Sequence, residues 1–389
     1  MKLAFICTES LPSPAIKGGA IQMMIDGVTP FLKKKFQLTI YSVTDPELPK
    51  YEMKDGVEYI RYPLDQYVEK IAENLKKQQF DIIHVFNRPK YIPIYKKSSP
   101  TSKIILGLHN DMFSEVKIST QLGKEVVETV NQIVTISNYI KETIVSRFGE
   151  ANQKTKVVYS GVNLDDYPPL WSEKGKEIRN IYRNRFGVVD KQVIFFSGRL
   201  TKNKGAHLLI KAMKKIVRKY PKTLLIITGG KWFSDNEPNR YTQYLYRLAK
   251  PIENNVLFTK FIPAHEIPNL FLMSDIFVCS SQWQEPLARV HYEAMAACLP
   301  VITTDRGGNA EVISHKFNGY LVDEFNKVNS YVKAIDYFLQ NQELSSWIAR
   351  NGRNFVEANF QFHHVADRLE TVYLTCLEEK NNPNDSNKV

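Results

Sequence analysis

The chain has 389 residues, 43% of them hydrophobic, and a formal charge of +11. That is length enough for two packed domains and a field that draws anions, from nucleic acid to phosphorylated small molecules. Its four cysteines form no C-x-x-C pair, which argues against a disulfide framework or a zinc site and for a reducing compartment.

Short apolar runs alternate with longer amphipathic segments. The opening MKLAFIC is apolar for too few residues to be a signal peptide, and no run approaches the ~20 apolar residues of a membrane span. Strands are predicted at 3–7, 38–43, 82–86, 104–108 and 133–136, with helices at 20–34 and 65–77. A polar stretch, 165–189, reads as a connection, part loop and part helix. The second half repeats the plan, with strands at 193–197, 223–228, 255–259, 276–279 and 300–303 and helices at 206–219, 268–273 and 289–296. A last helix, 365–379, is expected to pack back on the first domain, ahead of a frayed tail, 380–389. Continuous rather than alternating apolar strands imply parallel sheets covered on both faces, and strand–helix repeats imply doubly wound domains. The expected class is α/β, with Rossmann-like domains over 1–165 and 190–364 facing across a cleft. Ligands of such sheets sit beyond the carboxyl ends of the strands.

The strand at 193–197 runs into GRLTKNKG. Arg199 and Lys204 sit there between strand and helix, and Gly198 and Gly205 free the backbone. A helix N-terminus offers unpaired N–H groups, so a guanidinium and an ammonium beside it form a clamp for a diphosphate. A surface loop with two ordinary cations is the plainer alternative. The loop is not a Walker motif, and magnesium–nucleoside triphosphate chemistry is not indicated. Gly18 and Gly19 open the helix at 20–34 and let backbone approach a phosphate; an unconstrained loop accounts for the pair equally well.

SSQWQEPLARVHYEA, residues 280–294, carries Glu285 and Glu293 eight positions apart. With Pro286 in the first turn of a helix, Glu285 lies at the strand–helix junction and Glu293 two turns in. Eight helical residues span roughly 12 Å and leave the two side chains about 80° apart. That is too far for an acid/base pair on one bond, but it suits the hydroxyls at two ends of an extended ligand such as a nucleotide-sugar. A capping Glu285 with a solvated Glu293 is the alternative. The histidines lack metal-ligand spacing, and His291, His363 and His364 read as structural.

Taken together, the Glu285–Glu293 spacing, GRLTKNKG, the early Gly18-Gly19 and Ser160-Gly161-Val162 resemble retaining glycosyltransferases of family four, which have the GT-B fold. The resemblance covers nearly the whole chain, from 1 to about 373. More narrowly, CSSQWQEPLARVHYEAMAA and GGKWFSDNE are similar to a family member from the spore coat of endospore-forming bacilli. The resemblance implies hexosyl transfer from a nucleotide-sugar donor, UDP-linked by default, to a cell-surface or spore-coat glycan. Glu285 would contact the donor sugar and Glu293 the ribose. Arg199 and Lys204 would hold the leaving diphosphate, with Gly18 and Gly19 approaching it from the other domain. The base would lie near Phe261 and Ile262, and Leu287 and Ala288 would line the sugar. His109, in LGLHND, matches the histidine that touches the donor sugar near the reacting carbon; an ordinary hydrogen-bonding loop residue is its alternative. Asn87 and Arg88 fall on the acceptor side.

Fixed cations and helix N–H groups aimed at the leaving phosphate can lower the barrier. With no D-x-D at a strand end, no metal and no cofactor are expected. The cleft residues include no evident enzymic nucleophile, which fits same-face attack by the acceptor. No nucleic-acid partner is expected, because no reading motif accompanies the basic charge. The protein is expected in the cytoplasm, with peripheral association to a membrane or the spore coat left open. A coat component that keeps the scaffold with little turnover is the alternative function. Two departures from the family pattern stand out. Pro286-Leu287-Ala288 replaces P-F-G, so Ala288 would narrow the sugar pocket. Cys298 stands where glycine usually caps, so either the helix ends differently or the backbone is strained. Gly307, Gly308 and Glu311 are retained in TDRGGNAEV and fit a loop closing over the donor.

Overall fold

Runs of β-branched and aromatic residues form parallel strands here, as continuous apolar runs do when both faces of a sheet are covered. The computed structural model describes residues 1–230, 239–260 and 262–378. One unit consists of Met1–Gly161 with the helix Phe362–Glu378. It contains β1 (Lys2–Ile6), β2 (Gln37–Val43), β3 (Tyr51–Lys54), β4 (Val57–Tyr62), β5 (Ile82–Phe86), β6 (Lys103–Leu108), β7 (Gln132–Thr135) and β8 (Thr155–Val157). Their order is β3-β4-β2-β1-β5-β6-β7-β8, parallel except for the antiparallel β3–β4 pair. Leu3 of β1 lies beside Leu38 and Ile82.

The other unit, Val162–Gln361, contains β9 (Gln192–Ser197), β10 (Thr223–Thr228), β11 (Val256–Lys260), β12 (Ile276–Cys279), β13 (Val301–Thr304) and β14 (Tyr320–Val322). The order is β11-β10-β9-β12-β13-β14. The winding reverses between β1 and β5 in one sheet and between β9 and β12 in the other. The loops leaving those strands therefore border a topological switch point, where doubly wound sheets bind ligands.

Amphipathic helices cover the sheets. Ala206–Lys219 buries Ala206, Leu208, Leu209, Ile210, Ala212, Met213 and Ile216. In the first unit, Phe362 of the last helix lies over Gly27 of the helix Ala20–Leu32; a Cβ at Gly27 would come within 2.4 Å of the Phe362 ring. Tyr373, on the same last helix, hydrogen-bonds Nδ1 of His84 on β5 at 2.8 Å. The frayed tail expected at 380–389 lies outside the described residues.

Three sequence expectations are revised. The polar stretch 165–189 is more than a connection: its helix, Glu173–Arg185, docks on the second unit. Arg183 is buried and donates to the carbonyls of Met273 and Val188, each at 2.9 Å, while Arg179 reaches the Leu272 carbonyl at 2.8 Å and pairs with Asp275. Guanidinium forks thus replace an apolar face as the means of attachment. Second, β3 and β4 form a hairpin with no counterpart in the prediction. Third, the helix expected at 289–296 begins at Val290, so Pro286 stands outside it. The intervening loop is held from elsewhere: Gly308 N–H donates to the Glu285 carbonyl at 2.8 Å, and Ala288 N–H donates to Asn309 Oδ1 at 3.2 Å. Glu285 and Glu293 are therefore not related by one helix.

Candidate functional site

Beyond β9, Gly198 has φ 154° and leads to the half-buried Arg199. The turn Lys202–Lys204 ends at Gly205, whose φ of 76° caps the helix Ala206–Lys219. Only glycine fits there, because a Cβ would lie 2.0 Å from the Ser280 carbonyl oxygen. This close approach joins the loop after β9 to the loop after β12. Two further bonds fasten the seam: Ser280 Oγ donates to the Lys204 carbonyl at 2.9 Å, and Gln282 N–H donates to the Asn203 carbonyl at 2.7 Å.

The seam brings Lys204 onto Glu285. Its Nζ lies 2.7 Å from Oε2 of Glu285. The same oxygen accepts from Ser281 Oγ at 2.7 Å and from Trp283 Nε1 at 2.8 Å. Burial alone would push the Glu285 carboxyl up; the Lys204 ammonium and these donors outweigh it and hold the group below the usual carboxylate range. Gly307, at φ 60°, packs so close that a Cβ would lie 2.0 Å from the Glu285 carbonyl oxygen, and its N–H donates to Gln284 Oε1 at 2.6 Å. The Gly307-Gly308 loop thus supports the backbone of Glu285.

Glu293 is placed differently. It sits on the helix Val290–Ala296, is 8% exposed, and pairs with Arg289 at 3.6 Å. Burial pushes its carboxyl up, against the opposing pull of Arg289 and His291. Leu287 and Ala288 are buried in the loop between the two glutamates. Ile262 follows β11 and is half-buried; Phe261 lies outside the described residues. His291 is buried, with Nδ1 against the Ala288 carbonyl and Nε2 against Thr303 Oγ1, both at 2.8 Å. Cys298 does occupy the left-handed region, at φ 57°, so of the two outcomes anticipated for this cap the strained one is observed.

In the first unit, Gly18 and Gly19 have φ 76° and 103°, and Gly19 caps the helix Ala20–Leu32. The loop before them is anchored. Ala15 N–H donates to Asp26 Oδ2 at 2.7 Å, Ser13 N–H to Ser42 Oγ at 3.1 Å, and the buried Arg61 gives Nε–H to the Ser13 carbonyl at 2.9 Å. His109 follows β6 and is 9% exposed. Its N–H donates to Oδ1 of Asn87 at 2.7 Å, and Asn87 itself adopts φ 53° after β5. His84, His109, Gly107 and Ser160 line a small cavity, and burial beside His109 holds the His84 imidazole down to about 3, hence neutral. Arg88 pairs with Glu9 at 2.6 Å.

Sequence reading singled out Lys204 and Glu285, and the structure joins them. It did not single out Ser281 or Trp283, which hold Glu285, nor Gln284 and Asn309, which fix the loop. For Ser281, Trp283 and Gln284 the only sequence signal was proximity to Glu285; Asn309, more than twenty residues along the chain, gave none beyond its place after Gly307-Gly308. Among the described residues no group of three or more His, Cys, Asp or Glu is placed to hold a metal ion.

Known proteins share this architecture. The family described as "Glycosyl transferases group 1" matches residues 179–355, and "Glycosyltransferase Family 4" matches residues 27–166. The provisionally named glycosyltransferase YtcC of Bacillus subtilis (strain 168) is 56% identical over 381 residues, 98% of this chain and 94% of that protein. Spore coat protein SA of the same organism is 45% identical over 373 residues, 96% of this chain and 99% of that protein. Among solved structures, a glycosyltransferase from Rickettsia africae ESF-5 superposes with a TM-score of 0.80 at 21% identity, covering 98% of this chain and 99% of that one. Anabaena Alr3699/HepE in complex with UDP gives 0.77 at 22% identity, covering 96% and 100%. Two doubly wound parallel sheets, both family matches and near-full-length relatives lead to one conclusion: the chain is a glycosyltransferase of the GT-B fold and belongs to family four.

Proposed function

We propose that the protein transfers a hexosyl group from a nucleoside-diphosphate sugar, UDP-linked by default, to a cell-surface or spore-coat glycan, with retention and without a metal. The observation that carries this reading is the contact of Lys204 with Glu285 at the β9–β12 switch point, beside the helix that Gly205 opens. A cation for phosphate and a carboxylate for sugar hydroxyls there lie 2.7 Å apart. The second unit supplies the donor site: Arg199 and Lys204 take the diphosphate, Glu285 and the Leu287–Ala288 backbone take the hexose, Glu293 takes the ribose, and Ile262 with Phe261 takes the base. In the first unit, the family resemblance assigns His109 a role toward the donor sugar and Gly18-Gly19 a role toward the phosphates. Negative charge growing on the leaving diphosphate is met by Arg199, Lys204 and the helix N–H groups. The HepE structures, solved with UDP and with UDP-glucose, support the choice of nucleotide.

A heat-stability screen with UDP, GDP and ADP tests the donor class, since a ligand that binds only the folded form raises Tm. Transfer assays with and without EDTA, followed by determination of the anomeric configuration, test the mechanism. Glu285→Ala should abolish transfer and preserve the fold. Failure of all three nucleotides to bind would overturn the reading. The likeness to Spore coat protein SA favours one second reading, a coat component with little turnover. Saturable nucleotide binding without transfer to any acceptor would select it.

A further inference from the structure

Oε2 of Glu285 is where three donors converge: Lys204 Nζ and Ser281 Oγ at 2.7 Å each, and Trp283 Nε1 at 2.8 Å. A carboxylate oxygen accepts along two lone-pair directions, so three donors saturate it. Oε1 is then the oxygen left to receive a ligand hydroxyl. The donors differ in what else they can do. The Lys204 ammonium has three N–H bonds and so keeps donors for a phosphate oxygen. It also lies 5.9 Å from the Trp283 ring centroid, within cation–π range. Ser281 is fully buried, and its carbonyl accepts from Thr304 Oγ1 at 2.8 Å. Indole N–H is donor only, on a rigid ring with two rotatable bonds, so it cannot turn about to accept from a ligand.

We propose that Trp283 is a positioning residue that sets donor-sugar specificity. With Ser281 it occupies Oε2 of Glu285, and the carboxylate offers Oε1 alone, in one fixed direction, to the hexose. The inference rests on the reading above that Glu285 contacts the donor sugar. A carboxylate free to rotate would accept hydroxyls in several arrangements; a carboxylate clamped on one oxygen discriminates between epimers.

The test compares binding of intact donors with binding of the bare diphosphates. UDP-glucose, UDP-galactose, GDP-mannose and ADP-glucose are titrated against UDP, GDP and ADP by calorimetry, using wild type, Trp283→Phe, Ser281→Ala and Glu285→Gln. Phenylalanine keeps the ring against Lys204 and removes the donor. Loss of one charge-assisted hydrogen bond is expected to weaken binding of the preferred nucleotide-sugar roughly tenfold and to narrow the glucose/galactose ratio. Affinity for the matching diphosphate should stay within about twofold of wild type. Ser281→Ala should act in the same direction and serves if the tryptophan variant does not fold. Unchanged sugar discrimination in both variants, or equal losses for sugar and diphosphate, overturns the proposal. If Glu285→Gln weakens sugar binding while Trp283→Phe and Ser281→Ala do not, the role of Trp283 alone is lost. If Glu285→Gln also leaves it intact, or wild type binds none of the donors, the underlying reading of Glu285 fails.

Discussion

Gly205→Ala isolates the seam that joins the two loops of the second unit. Gly205 and Gly187 both have left-handed backbones, at φ 76° and 63°. Their surroundings differ: a Cβ on Gly187 would meet nothing within 4 Å, whereas on Gly205 it would lie 2.0 Å from the Ser280 carbonyl oxygen and 3.1 Å from Gln282 Nε2. Alanine at either position costs about 1–2 kcal/mol for the left-handed conformation. It also regains about 0.4–1 kcal/mol from a stiffer unfolded chain. Those contributions cancel between the two variants. What remains is the overlap with Ser280, which must be relieved by moving backbone, at about 1–3 kcal/mol. For a unit of this size, each kcal/mol lowers Tm by roughly 2–4 °C. Gly205→Ala should therefore melt some 2–12 °C below Gly187→Ala by scanning calorimetry. It should also lose nucleotide binding, because the displaced Ser280 supports Lys204 through the hydrogen bond to its carbonyl. Equal melting temperatures for the two variants would show that the seam does not constrain the loops.

Arg183→Ala leaves the Asp275 carboxylate and several buried carbonyls short of a donor; a loss of about 3–5 kcal/mol is expected in denaturant titration, and less than 1 kcal/mol would refute the docking role of Glu173–Arg185. The folded state holds Glu285 below its ordinary range, so its ionisation stabilises the fold above the unfolded-state value, and that stability is lost as pH falls through the folded value. Glu285→Gln should accordingly cost more stability at pH 7 than near pH 4, and an equal cost at both would contradict the ion pair with Lys204. The sign reverses for Glu293, which burial raises: folding disfavours its ionised form, and the resulting loss of stability grows as pH rises through the unfolded-state value, so Glu293→Gln should be less damaging at pH 7 than Glu285→Gln, as Tm comparison will show.

The parallel sheets were legible because their strands are uninterrupted apolar runs; 82–86, 223–228 and 276–279 were read to the residue, as was the helix Ala206–Lys219. The β3–β4 hairpin was missed although Asp55-Gly56 marks it. Both residues have positive φ, 51° and 79°, as a two-residue hairpin turn of right-handed strands requires. Exposed edge strands such as Tyr51–Lys54 lack the apolar run that betrays a central one. The docking of Glu173–Arg185 was hidden for a related reason, since guanidinium groups that satisfy buried carbonyls look like surface charge in a sequence. For the site, local chemistry identified Lys204 and Glu285, but the helix assumed between Glu285 and Glu293 was wrong. Propensity allowed it; hydrogen bonds from Gly308 and to Asn309, more than twenty residues along the chain, hold that stretch as a loop.

The pairing of Lys204 with Glu285 bears on what the site can distinguish. A lysine already neutralised by a carboxylate 2.7 Å away attracts a further anion less than an isolated one, because the carboxylate repels it. The overall charge of +11 still steers anions toward the protein, but a bare diphosphate meets Lys204 with its charge largely spent. A nucleotide-sugar meets the same cation and, on the reading proposed above, also gives the Glu285 carboxylate a hydroxyl donor. The ion pair therefore narrows the gain available to the diphosphate product relative to the intact donor. Removing the carboxylate should tighten binding of the bare diphosphate while weakening that of the sugar-linked form. This opposite movement separates an ion pair that tunes selectivity from one that merely braces the fold, since loss of a brace would weaken both.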